Sequence, residues 1–79
     1  MPWYDFQWTD DTIEHIGEHG LTIEDAEWVI ENFEDEDVSR SSGRPMRFAF
    51  LPDGRYVAVV FEWIDNVTVY VVTAYEPGV

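Results

Sequence analysis

An α+β domain, with two N-terminal helices packed on an antiparallel meander of three to four strands, is the architecture this sequence predicts. Three observations carry that expectation. Capping and charge signals bracket two helical stretches before the run Glu34-Asp35-Glu36-Asp37. From Met46 onward the chain turns to alternating and continuous blocks of β-branched and aromatic residues, which suit strands. Two turn signals, Pro52-Asp53-Gly54 and Asp65-Asn66, divide that half into hairpins.

Taken in order, Tyr4 to Trp8 alternates loosely and suits a short first strand. A helix begins near Asp10, because Thr9, Asp10 and Asp11 can cap its free amides and complement its dipole. Gly20 ends it, a residue suited to a left-handed position just past a helix. Thr22 caps a second helix, with Glu24 and Asp25 in its first turn. Ile23, Ala26, Val29, Ile30 and Phe33 fall within about 120° of arc at 100° per residue and form its core stripe. Trp28 points nearly opposite, among Glu24, Glu27 and Glu31. Glu34 to Asp37 reads as an acidic loop, and Val38 to Pro45 as a loop or frayed edge strand. Strands follow over Met46–Leu51, Arg55–Ile64 and Val67–Tyr75.

The two turns set a register in which Leu51 faces Arg55 and Ile64 faces Val67. One sheet face then carries Met46, Phe48, Phe50, Tyr56, Ala58, Val60, Val67, Val69, Val71 and Tyr75. The other carries Arg47, Ala49, Leu51, Val57, Val59, Phe61, Trp63, Tyr70, Val72 and Ala74. Neither is polar, as a solvated face should be. Two short helices cover one face, so the other is expected to meet a partner, and Val57, Val59 and Val72 are placed on that partner face. Phe61 and Trp63 share their row, and Trp28 adds an exposed aromatic; together with Trp3 and Tyr4 these exceed what a small core needs. A slip of one residue in either turn would exchange the faces.

Composition bounds the options. The chain has 79 residues, enough for one domain. Its hydrophobic fraction of 46% and aromatic fraction of 16% argue against disorder. A stability of roughly 4–12 kcal/mol follows from about 0.05–0.15 kcal/mol per residue. Without cysteine there is neither a disulfide framework nor a thiolate metal site. The first 37 residues hold thirteen of the 17 Asp and Glu, while all four positive side chains are arginines between Arg40 and Arg55. A net charge of −13 repels phosphate backbones and disfavours a nucleic-acid binder. The acidic, aromatic N-terminus is unlike a secretion signal, and no apolar run approaches the roughly 18 residues of a membrane span. The expected location is the cytoplasm, with no membrane partner.

Trp8-Thr9-Asp10-Asp11, then His15, His19-Gly20-Leu21-Thr22 and Glu24-Asp25-Ala26 resemble the start of the BrnT-like toxin family. The tail is similar too: an arginine-bearing loop, a hairpin ending Asp53-Gly54-Arg55, a Val- and Phe-rich strand, and a last strand closing in Thr73-Ala74. The resemblance covers about residues 6–75. It implies a RelE-superfamily fold and descent from ribonucleases neutralised by a cognate antitoxin. Family members are typically basic, whereas this chain is acidic. The expected role is therefore a toxin-related domain acting chiefly by protein–protein contact, with weak or lost ribonuclease activity. Its expected partners are a second copy or an antitoxin-like protein, with RNA bound weakly if at all. The alternatives are an active metal-independent ribonuclease and an acidic nucleic-acid mimic that uses Glu24 to Asp37.

Candidate site residues follow from the chemistry of RNA cleavage, which needs a proton acceptor, a proton donor and a cation at the phosphate. Arg47, Phe61 and Tyr70 share a face in the register above. Arg47 and Tyr70, with His19 or Glu62 to move protons, form the candidate catalytic set. Arg40, Arg44 and Arg55 are the candidate phosphate contacts, with Ser41-Ser42-Gly43 between the first two. His15 and His19 stand four apart on a helix, a metal-ligand spacing, and Glu14 and Glu18 lie nearby. Two nitrogens do not complete a tetrahedral site, so His19 is assigned to the helix end and no metal or cofactor is expected.

Overall fold

The computed structural model describes residues 4–78, so Trp3 lies outside the described residues. The elements are β1 Asp5–Gln7, α1 Asp10–Glu18, α2 Ile23–Glu31, β2 Asp35–Val38, β3 Pro45–Phe50, β4 Tyr56–Trp63 and β5 Thr68–Tyr75. They form an α+β fold on one five-stranded sheet of order β1-β5-β4-β3-β2. Strands β2 to β5 make the antiparallel meander, and β1 adds to β5 in parallel. The sheet is therefore larger and of mixed sense where three to four antiparallel strands are expected.

Both helices start and stop at the expected signals. The Thr9 side chain accepts the Thr12 N–H at 3.1 Å, and Gly20 takes φ 75° just past the His19 cap of α1. Thr22 and Asp25 form a reciprocal capping box, with bonds of 3.2 and 3.0 Å. α1 packs on β5 and α2 on β3 and β4, so both cover the same sheet face. Ile16, Leu21, Ala26, Val29 and Ile30 meet Ala49, Leu51, Val57, Val59, Phe61, Val69, Val71 and Ala74 there. Phe33 lies past the end of α2 and is half-exposed, outside the helical stripe expected for it.

The acidic run is a strand rather than a loop. Asp35 to Val38 pairs with Pro45 to Phe48 and is exposed along its whole length. Asp and Glu disfavour strands by propensity, but an outermost strand needs only one neighbour, and charge there blocks further pairing.

The first hairpin has the predicted register, with Leu51 N–H donating to Arg55 C=O at 2.8 Å and Gly54 at φ 97°. The second does not. Ile64 pairs with Thr68, closing a three-residue loop in which Asp65 Oδ1 accepts the Val67 and Thr68 N–H groups at 2.9 and 2.7 Å. Those bonds hold the Asp65 carboxyl below its usual range. The slip turns Val69 and Val71 into the helix-covered core opposite Trp63 and Phe61 and puts Tyr70 opposite Glu62. A bulge beside Val60 and Phe61 then shifts the register once more, setting Ala74 opposite Val59 and keeping it on the expected face. Val57, Val59 and Phe61, expected at a partner interface, are instead fully buried beneath the helices. The reason is that both helices fold onto the face carrying the smaller side chains, which admits close packing.

Trp8 packs on the core and donates its indole N–H to Glu27 at 3.1 Å. Burial pushes the Glu27 carboxyl above its ordinary range; the Trp8 bond opposes this, and Glu31 and Glu24 add repulsion. A carboxyl raised by folding stabilises the fold below its unfolded pKa, and that contribution is lost as pH rises through the folded value. At neutral pH the ionised Glu27 opposes folding. Glu27→Gln, whose amide oxygen still accepts from Trp8, should raise the melting temperature at pH 7 and change little near about pH 3.5. Thermal melts at the two pH values check it; equal shifts at both would remove the electrostatic explanation.

Candidate functional site

Arg47 points from β3 into the helix-covered side and is only 7% exposed. Its Nη1 donates to the Ile30 carbonyl at 2.8 Å and to the Tyr4 hydroxyl at 3.3 Å, and its Nε donates to Glu36 at 3.0 Å. Ile30 lies in the last turn of α2, where carbonyls lack helical partners and the dipole is negative, and that turn has no basic residue of its own. Arg47 supplies both the donor and the charge. Around its guanidinium stand the rings of Phe33, Phe61, Trp63 and Tyr4, at 4.0, 5.4, 5.4 and 5.7 Å from centroid to Cζ. Nε and Nη1 are both held by protein acceptors, and the surrounding rings shield the charge.

The proposed catalytic partners of Arg47 stand elsewhere. Tyr70 lies on the opposite sheet face because of the hairpin slip, so Arg47, Phe61 and Tyr70 do not share a face as the sequence register has it. His19 caps α1 and lines a different region, a cleft of about 600 Å³ with His15, Glu18, Thr73, Tyr75 and Glu76. The two imidazoles meet edge to face at 5.3 Å, and His15 Nδ1 is 3.8 Å from Glu18. Among the described residues no group of three or more His, Asp or Glu is placed to hold a metal ion. None of their buried side-chain N or O atoms lacks a hydrogen-bond partner.

The arginines assigned to phosphate are dispersed. Arg44 and Arg55 flank opposite ends of β3. Arg44 Nε pairs with Glu62 at 2.9 Å. Arg55 donates to the Gly20 carbonyl at 2.8 Å, just beyond α1, and reaches Asp53 and Asp25 at 2.9 and 3.4 Å. The Asp53 hydrogen bond raises the Arg55 pKa further, and the Arg55 N–H in turn lowers that of Asp53. Arg47 and Arg55 thus do for the two helix C-termini what no lysine or arginine within the helices does. Arg40 is exposed in the turn before β3 and makes no ion pair among the described residues.

The other sheet face carries a row of partly exposed apolar side chains. Met46, Ala58 and Val60 are sealed there by Phe48, Val72 and Tyr75. Phe48 stacks on Tyr56 at 6.1 Å and 16°, and Phe50, 54% exposed, contacts Tyr56 at 4.8 Å. Of the expected interface residues, Val72 belongs to this face. Trp28 and Trp63 are each about two-fifths exposed; Trp28 donates to the Phe50 carbonyl at 3.1 Å, which binds it to the edge of the same strand. The sequence register already lists Phe48, Phe50, Tyr56 and Tyr75 on one face; what it misses is that this face is the uncovered one. Glu36 as the Arg47 partner has no local signal, because it lies in a run of four acids with equal claims. No protein-family model matches the chain, and no curated protein matches it.

Proposed function

We propose that this chain is a toxin-related domain of the BrnT-like kind that works by protein–protein contact, with weak or lost ribonuclease chemistry, in the cytoplasm. One observation carries the reading: three of the four arginines are committed to internal pairing, two of them at helix ends, while Arg47, Tyr70 and His19 surround no common point. A phosphorane needs a cation and proton-transfer groups within hydrogen-bond reach of one phosphate. The acidic surface adds to this, since exposed carboxylates repel RNA over a Debye length of about 10–30 Å at low salt.

Labelled mixed-sequence RNA incubated with the chain at low salt should stay intact. The informative variants are surface ones, His19→Ala, Tyr70→Phe and Arg44→Ala, because Arg47 substitutions disturb the fold. Multiple-turnover cleavage that any of these three abolishes would replace this reading with the enzyme.

A further inference from the structure

We infer that the uncovered sheet face docks a segment of a basic protein, with apolar side chains on the aromatic row and cationic side chains toward the carboxylates on either side. The inference rests on the protein-contact reading above and names its partner's chemistry. Asp35 and Asp37 pair with Phe48 and Met46 across β2 and β3, so their carboxylates share the aromatic face. The Tyr56 hydroxyl lies 3.4 Å from Asp35, and its phenol is pushed upward by burial and by the Asp35 and Glu34 charges, a sign of the negative potential there. On the other side Tyr75 leads from the aromatic face into the cleft that holds Glu18 and Glu76. The one cation pairing onto this face among the described residues is Arg44, already held by Glu62.

That distribution chooses among occupants. A second copy would bring its own net −13 and the same carboxylates against these, a like-charge juxtaposition that Arg40, the one arginine without an ion pair among the described residues, is too little to offset. RNA is repelled for the same reason and finds no paired-donor site. A segment with apolar centre and Lys or Arg flanks satisfies both the rings and the charges, and the long-range field speeds its approach at low salt. An exposed aromatic patch with a polar rim is the usual anatomy of such a site.

The test pans a displayed library of random peptides of about 12 residues, long enough when extended to cross the domain, against the intact chain. Enriched sequences should be net positive and carry two or more large apolar side chains. A synthetic lead peptide should then lose about tenfold in affinity to Phe50→Ser and about tenfold to the double change Asp35→Asn with Asp37→Asn, a difference of about 1.4 kcal/mol each. Melting temperatures should be unchanged, since these side chains are exposed. Enrichment of neutral or acidic peptides, or binding indifferent to both variants, would overturn the inference while leaving protein contact as the function. A dimer in sedimentation that Phe50→Ser dissolves would assign the face to a second copy and also overturn it. Failure to enrich any peptide would sink the protein-contact reading and this inference with it.

Discussion

Arg47→Ala should cost about 3–4 kcal/mol, close to the whole stability of a domain at the low end of the roughly 4–12 kcal/mol range. Three losses combine. The Ile30 carbonyl, at the end of α2, loses its donor and is left buried without one. Four aromatic rings lose the cation over which they are arranged, a desolvated contact worth about 2 kcal/mol or more in total. The truncation also opens a cavity beside Phe61. Arg47→Lys should recover little, because an ammonium has no planar fork to reach Ile30, Tyr4 and Glu36 together. Glu36→Gln should cost under about 1 kcal/mol, since that carboxylate is half-exposed and solvent screens the pair. Denaturant melts of the three variants test the order; an Arg47→Ala protein as stable as wild type would show that the caged charge contributes nothing net.

Val69→Lys should leave no folded population, whereas Tyr70→Lys should shift stability by no more than about 1 kcal/mol. Val69 is fully buried between Phe6 and Trp63 on the neighbouring strands, where an ammonium finds no partner and pays a desolvation penalty of several kcal/mol. Tyr70 stands on the uncovered face opposite Glu62, where a lysine meets an opposite charge. The pair of variants reads the register of the second hairpin directly. Were Ile64 to pair with Val67, as the two-residue turn signal has it, the two outcomes would be exchanged. Circular dichroism of the purified variants decides between them.

Helix limits are legible because their determinants are local. Thr9, Gly20 and the Thr22–Asp25 box act within a few residues of themselves, and each does in the fold what its identity predicts. The first hairpin is legible for the same reason, since Pro52 and Gly54 fix the backbone that aligns Leu51 with Arg55. The apolar character of both sheet faces is likewise a property of alternation alone.

Where competing local solutions are close in energy, long-range packing chooses, and the sequence is silent. Asp65-Asn66 admits a two- or a three-residue loop; burial of Val69 and Val71 under the helices goes with the longer one, whose two amides Asp65 accepts, and that register sends Tyr70 away from Arg47 and dissolves the catalytic face. The acidic run admits loop or strand; pairing with β3 makes it a strand and selects Glu36 from four equivalent acids. Which apolar face the helices cover is set by how closely helix and sheet can approach, and that decides that Val57, Val59 and Phe61 are core while Phe48, Phe50 and Tyr56 face outward. The sequence alone determined the elements, their caps and the charge of the chain. Only the tertiary structure decided which residues meet, because a side chain's partners across the sheet depend on a register that one turn residue can shift.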